Sequence, residues 1–476
     1  MLQCIYSVQV NRTWYLMFVL NSFYIVLCTW YFVHSTLYMV LCTWYFVHGT
    51  LYMVLCTRIK YRFIERIPKV IYYLYDAMSK RKIINDPIYG FVKFQFDLIY
   101  DIIDHPYFQR LRRISQMGLS NYVYPGAMHS RFAHALGAVH LMTESIKTLR
   151  YKGVDISDQE YLATCIAILL HDVGHGPFSH ALENVIIGKN HEAISLDIME
   201  VLNKEFSNQL DLAIKIFKGD YNKKYLTQLV SSQLDMDRMD YLTRDSYYSG
   251  VAEGVIGYKR IIAMLNVADD QLVVEEKGLY SVEKFLVARH IMYWQVYLHK
   301  ASVCAEQMLK SFVRRTKTLL QEARIQTSDS RLHQILANDL THDPHYLDSF
   351  TRLDDIDIYS ELKRGNESVD PVIRILSDAI INRKLLGITL QDSKIDEASL
   401  ESTRLKLKNH FNLDDEQSHA LLIYGKESNS AYNIKSNEIK ILSKQNEVIP
   451  ISELMDIKLN SNTLTKYFYC YPKTDI

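Results

Sequence analysis

Residues 169–180 read LLHDVGHGPFSH, an apolar run that ends in an adjacent histidine and aspartate, His171 and Asp172. The residues before the pair, Tyr161 to Leu170, are apolar with helical spacing, and Gly174, Gly176 and Pro177 break the helix just after it. An imidazole nitrogen beside a carboxylate oxygen suits a borderline or hard divalent cation. His175, His180, Glu183, His191 and Glu192 follow closely. A histidine-rich surface loop is the bland alternative, but such loops rarely carry apolar flanks with interleaved glycines.

Three other stretches carry titratable groups in patterns that complement this one. Upstream, HSRFAHALG puts His129, Arg131 and His134 at the start of a helix. Taken alone it is weak, since a helical histidine is more often a packed side chain than a ligand. Downstream, LDMDRMDYLTRDSYYSG holds Asp237, Arg238, Asp240, Tyr241, Arg244 and Asp245. On a helix Asp237, Tyr241 and Asp245 share a face. A merely solvated helix would carry more Lys and Glu and less Asp, which is a poor helix former. Last, RHIMYWQVYLHK (residues 289–300) spaces Arg289, Tyr293, Tyr297 and Lys300 by three and four, the pattern of one helix face with two cations and two phenols. Arg and Lys fit phosphate oxygens and Tyr fits a base or sugar; snorkelling side chains on an amphipathic helix are the even alternative.

The whole chain of 476 residues is 48% apolar and 23% charged, which excludes a disordered or fibrous protein. Its 54 basic residues balance 54 acidic ones, so no overall field draws it to nucleic acid, and no stable nucleic-acid partner is expected. Seven cysteines without a CxxC or a disulfide-like spacing suit a reducing compartment, and a cytoplasmic location is expected. From Lys82 onward helical periodicity dominates. A short hairpin is expected near Asp270 to Val274, and the last stretch, with Ala420 to Tyr424 and Ile439 to Leu442, reads as a smaller α+β region. The Ser- and Asp-rich segment Thr327 to Ser330 suggests a boundary, giving residues 78–325 and 326–476.

Residues 1–77 differ in kind. Between Arg12 and Arg58 there is no charged residue, and Leu37 to Thr50, LYMVLCTWYFVHGT, recurs almost unchanged on both sides with a period of fourteen. The peptide can be written as three copies of TTGTACATGGTACT, a fourteen-nucleotide unit read through all three frames. It is therefore expected to be a translated DNA repeat, with the genuine start near Met78. The alternatives are a repetitive helix, since fourteen is two heptads, and a helical membrane anchor over residues 13–57.

The set His134, His171, Asp172 and Asp237 resembles the H…HD…D metal-binding signature of the HD superfamily of phosphohydrolases. KIINDPIYG (residues 82–90), IIDHPYFQRLRRISQMG (residues 102–118), YPGAMHSRFAHALG, HDVGHGPFSH, DMDRMDYLTRD and the 289–300 stretch are further similar to blocks of the deoxynucleoside triphosphate triphosphohydrolases. That family includes vertebrate members with a sterile-alpha-motif domain, which this sequence does not show. The resemblance runs from about Lys82 to Leu400. It implies a mainly α fold, an HD-domain helical fold with the smaller α+β C-terminal region.

The implied activity is metal-dependent cleavage of a dNTP to deoxynucleoside and inorganic triphosphate. His134, His171, Asp172 and Asp237 would hold the divalent ion, and such ligands admit Mn, Fe, Mg, Zn or Ni. By the same resemblance His180 is the proton donor oriented by Glu183, His175 and His191 contact the α-phosphate, and Arg131, Arg238, Tyr241, Asp245, Arg289 and Tyr297 hold phosphates and sugar. Arg238 stands where the family more often has Lys. Lys82, Asp104, Gln109, Arg112, Gln116 and, again, Arg131 match an activating-nucleotide site, and a homo-oligomer, dimer or tetramer, is implied. Another HD-domain nucleotidase or phosphodiesterase, or a nucleotide sensor with little turnover, are the rival classes.

Overall fold

Capping residues and continuous apolar faces set the positions of the helices that carry the expected site. The computed structural model describes the backbone strands within residues 2–61 and, beyond them, residues 82–338, 340, 343, 345–429, 438–456 and 464–473. α1 (Arg131–Tyr151) follows an extended Ser130 and is buried on nearly every side. α2 (Asp158–Leu170) opens on a capping box: Ser157 Oγ accepts from Glu160 N–H, and the Glu160 carboxylate accepts from Ser157 N–H at 2.7 Å. Its run from Tyr161 to Leu170 is buried except at Leu162, so the helix ends inside the protein and delivers His171 and Asp172 there. The one-turn α3 (Ser179–Leu182) and α4 (His191–Glu205), capped by Asn190, follow. α5 (Met236–Ser249) is capped by the Asp235 carboxylate, which accepts from Arg238 N–H at 2.7 Å, and stops at Gly250, whose φ of 76° is a left-handed geometry that glycine takes without strain. α1 packs against both α2 and α5.

One expectation fails further on. The 289–300 stretch is not a single helix: α6 (Leu279–Met292) gives way to a π-helical turn over Tyr293–Tyr297, and His299 caps a new helix, α7 (Lys300–Gln321). Lys300 therefore leaves the face that Arg289, Tyr293 and Tyr297 occupy and is exposed. No glycine or proline marks the break, and a π turn is fixed by packing rather than composition.

Among the described residues the fold is mainly α with small sheets. β6 (Ile84–Asp86) and β7 (Gly90–Val92) form a hairpin. β8 (Leu265–Ala268) and β9 (Gln271–Glu275) form the hairpin expected near Asp270. β12 (Lys440–Leu442) pairs in parallel with β9 and antiparallel with β13 (Val448–Pro450), so a late segment of the chain completes an early sheet. β10 (Gly387–Gln391), β14 (Leu464–Tyr471) and β11 (Tyr424–Asn429) make the remaining antiparallel sheet, with β14 central. Lys82–Ile476 is one compact unit. Helix residues on both sides of the segment 327–330, such as Phe312, Val313, Leu332 and Leu376, share one core cluster.

Met1–Arg81 is a separate unit. Where a repetitive helix or a membrane helix was the alternative, the backbone forms a five-stranded antiparallel meander, β1 (Leu2–Val10), β2 (Thr13–Leu20), β3 (Tyr24–Val33), β4 (Thr36–Val47) and β5 (Thr50–Tyr61). A fourteen-residue period is even, so it fits a strand as well as a helix, and the run's Val, Thr, Tyr, Phe and Trp favour strands. The repeat pairs with itself identically: Tyr31↔Tyr38 and Phe32↔Leu37 in β3–β4 recur as Tyr45↔Tyr52 and Phe46↔Leu51 in β4–β5. Among the described residues no helix is long and apolar enough to cross a membrane. Lys82–Ile476 carries a continuous core cluster of its own. Met78–Ile476 expressed alone should accordingly unfold in one cooperative thermal transition within a few degrees of the full chain's; aggregation, or loss of the transition, would show that the first 77 residues are needed.

Candidate metal and phosphate site

Three helix ends bring the expected ligands together. His134 lies in the first turn of α1, His171 and Asp172 follow α2, and Asp237 lies in the first turn of α5. His134 Nε2 and His171 Nε2 stand 3.1 and 3.5 Å from the same Asp237 Oδ1, and His171 Nε2 is 3.3 Å from Asp172 Oδ1. Both Nε2 atoms are buried and complete no hydrogen bond. Their other ring nitrogens are engaged: His134 Nδ1 on Asp240 Oδ2 at 2.8 Å, and His171 Nδ1 on the Ile168 carbonyl at 2.6 Å. An Nδ1–H donated to each oxygen leaves both Nε2 lone pairs facing the carboxylates, as metal-binding histidines require. Burial disfavours a charged His134, yet the carboxylates of Asp237 and Asp240 outweigh it and push the imidazole up to about 10. The surplus of carboxylate therefore calls for positive charge, from protons on the imidazoles or from a cation. The two orphaned imidazole nitrogens and the Asp172 carboxylate lie close enough together to hold a divalent ion, and Asp237 Oδ1 adjoins both imidazoles.

A second group adjoins the first through Asp172. His175 Nε2 is 3.1 Å from Asp172 Oδ1, and the His175 and His191 rings stack at 3.9 Å, 14° apart. Burial, with Arg131 adding to it, holds His175 well below its usual value, so it is neutral near pH 7. Glu183 Oε1 accepts from both the backbone N–H and Nδ1 of His191, at 3.0 and 2.7 Å; these bonds pull Glu183 down to about 2. The expected partner of Glu183 was His180; the side chain of His180 lies outside the described residues. Asp172, His175 and His191 are close enough together to hold a cation of their own.

On the other side α5 acts as a ladder. Asp237, Tyr241 and Asp245 recur every four residues along it, about 12 Å from first to last at ~1.5 Å per residue. Arg238 lies within 3.4 Å of the Tyr241 hydroxyl, and Arg289 donates to Gln233 Oε1 at 2.9 Å. Burial first, then the charge of Arg238, lowers Arg289. Both guanidinium groups feel the charge of Asp237, and Arg238 is also paired with Asp235 at 3.2 Å. Farther along, the Tyr297 hydroxyl donates to Asp245 Oδ2 at 2.8 Å, and its ring meets those of Tyr241 and Tyr293 edge-on at 6.3 and 6.2 Å. Arg131, expected on phosphate, donates to Asp172 Oδ2.

The expected activator residues divide. Lys82 pairs with Asp104, Arg112 donates to Gln109 Oε1 at 2.8 Å, and Gln109 donates to the Ile103 carbonyl at 2.7 Å, so these four lie along one face. Gln116 is buried, with its backbone N–H on the His129 carbonyl at 3.0 Å.

Several residues important to the site had no role assigned from sequence. Asp240 holds His134 and receives Arg244 at 2.8 and 3.0 Å, and Arg244 reaches Asp86 at 2.9 Å. Its signals were the i,i+4 Asp–Arg pair on α5 and Gly137, one turn past His134. A Cβ at Gly137 would stand 2.0 Å from Asp240 Oδ1. Arg110, fully buried, clamps the carbonyls of Val173 and His175 at 2.9 and 2.7 Å. His129 Nε2 lies 2.7 Å from Asp245 Oδ1, with its ring stacked on Tyr248.

Residues 256–359 match a family described as the HD associated region. An uncharacterized Bacillus subtilis protein, YwfO, is 34% identical over 317 residues, 65% of this chain and 72% of that one. A Dictyostelium discoideum protein named as a deoxynucleoside triphosphate triphosphohydrolase SAMHD1 homolog is 32% identical over 255 residues, 49% of each. The crystal structure of a phosphohydrolase from Bacteroides thetaiotaomicron superposes with a TM-score of 0.79 at 46% identity, covering 83% of this chain and all of that one.

The Asp240 contact yields a prediction. Asp240→Asn should lower affinity for Mn²⁺ about 10- to 100-fold, the usual cost of losing a carboxylate behind a metal-binding histidine. Metal content after equilibrium dialysis measures it; unchanged binding would remove Asp240 from the site.

Proposed function

The chain belongs to the HD-domain phosphohydrolases related to the deoxynucleoside triphosphate triphosphohydrolases, and on that premise we propose that it hydrolyses a dNTP to deoxynucleoside and inorganic triphosphate. The observation that carries this reading beyond a generic phosphohydrolase is the paired Arg238 and Arg289 next to Asp237, with the Tyr297–Asp245 bond two turns farther along α5. Arg289 feels the charge of Arg238, and a polyanionic tail suits two such cations. The tyrosine-walled end suits a sugar and base.

A divalent ion held by His134, His171, Asp172 and Asp237 would activate water and neutralise developing charge. The protein's own groups do the rest. Water attacks the α-phosphorus, the bond from phosphorus to the 5′-oxygen breaks, and the leaving oxygen takes a proton, for which His180 is the proposed donor. His175, neutral and fixed on Asp172, and His191, fixed by Glu183, flank the α-phosphate. Arg238, Tyr241 and Arg289 hold the rest of the triphosphate, while Asp245 and Tyr297 fix the sugar. Activation by a second nucleotide at Lys82, Asp104, Gln109 and Arg112, and assembly into a homo-oligomer, extend the same reading.

Mass spectrometry of products from each dNTP with Mn²⁺ or Mg²⁺ tests the proposal. Deoxynucleoside plus intact triphosphate is expected; orthophosphate, pyrophosphate or a nucleoside monophosphate would assign another reaction. With Tyr297 against the sugar, dATP should be cleaved faster than ATP, and equal rates would favour a broader nucleotidase. His180→Ala should retain bound metal and lose turnover ~10²-fold or more, the range for a lost general acid; a parallel loss of metal would make His180 structural.

A further inference from the structure

The loop that carries His175 and leads to His180 turns through a backbone conformation its own sequence disfavours. Phe178 has φ 45° and ψ 47°, a left-handed geometry, and it immediately precedes α3. For a bulky residue this geometry is strained and persists only where neighbours impose it. The neighbours come from far along the chain. Asp355 opens α8 (Asp355–Gly365), and its Oδ1 accepts from Phe178 N–H at 3.0 Å. On the same helix Tyr359 meets the Phe178 ring edge-on at 5.4 Å.

The other oxygen of Asp355 reaches the opposite wall. Oδ2 accepts from Ser115 N–H at 2.8 Å. Ser115 bridges Ser130, and Arg131 N–H donates to the Ile114 carbonyl at 3.0 Å, so this is the backbone that aims Arg131 at Asp172 and His129 at Asp245. On the first wall Ser179 Oγ bonds His175 Nδ1, which turns His175 Nε2 to Asp172. One carboxylate, 6% exposed, therefore ties both walls to each other through two backbone N–H groups. Burial raises it to about 6, and each of its oxygens accepts from a backbone amide. Asp354 beside it does the ordinary capping, in a box with Asp357, so α8 does not need Asp355 as its cap.

We propose that Asp355 is a positioning residue, a backbone clamp that sets the loop bearing His175 and the start of α3 against the segment bearing His129 and the start of α1. It acts through Phe178 and Ser115 and touches neither substrate nor metal. The inference deepens the reading of the site as a phosphohydrolase centre and rests on it only where turnover is measured.

Hydrogen–deuterium exchange of the full chain, without substrate, tests the clamp directly. In Asp355→Asn, whose side chain has one carbonyl acceptor where the carboxylate has two, peptides covering 113–118 and 174–182 should exchange at least ~10-fold faster. Asp357→Ala, which removes only a cap contact, should lower the melting temperature without changing those peptides. Under saturating dNTP, Asp355→Asn should lose about tenfold or more in kcat with KM within about threefold and metal content unchanged. Asp355→Ala should show the same pattern more strongly, and where it does not fold the Asn variant decides. Unchanged exchange in either segment, or a kcat loss matched by Asp357→Ala at equal destabilisation, would overturn the clamp. Absence of dNTP hydrolysis in the unaltered protein would overturn the functional reading and leave the exchange result standing.

Discussion

Asp240 is a fully buried carboxylate shared between His134 Nδ1 and the guanidinium of Arg244, which itself reaches Asp86 at the first hairpin. Removing one member of such a buried ionic set leaves a bare charge and costs ~3–5 kcal/mol, so the members stand or fall together. The set requires α1 and α5 to approach until only a glycine fits, which explains Gly137. It also fixes the tautomer and direction of His134, and hence the point on which His171, Asp172 and Asp237 converge. The ionic set that joins α1 to α5 and to the β6–β7 hairpin thus also orients His134 in the proposed metal site.

Around that point the walls are held by backbone as much as by side chains. Arg110 grips two carbonyls of the loop after α2, Ser195 Oγ bonds the His171 carbonyl at 2.8 Å and accepts from Gly174 N–H at 2.9 Å, and Asp355 takes two amides. A loop rich in glycine and histidine would otherwise be mobile. Rigid placement matters here because phosphoryl chemistry gains mainly from positioning and from charges fixed in advance.

Much of this was legible in the sequence because it is local. His171 and Asp172 are adjacent, and Asp237, Tyr241 and Asp245 share a helix face at a spacing of four, so a motif and a periodicity suffice. The parts that were not legible are relations between distant segments. The bond from Phe178 to Asp355 joins positions 177 residues apart, and no local pattern announces it. The break at Tyr293–Tyr297 lacks Gly and Pro, so three-and-four spacing alone overran it and carried Lys300 onto the wrong face. In the first 61 residues the even period of fourteen is compatible with both kinds of backbone, and β-branched and aromatic content, more than the period, distinguishes them.

The central claim is that a single carboxylate-rich cradle at the ends of α1, α2 and α5 binds one catalytic divalent ion. Crystals of the full chain grown with Mn²⁺ and measured on both sides of the manganese absorption edge address it most directly. The account predicts an anomalous peak within about 2.0–2.3 Å of His134 Nε2, His171 Nε2 and one oxygen each of Asp172 and Asp237. A peak centred on other residues, or none at a Mn²⁺ concentration that supports hydrolysis, would contradict it.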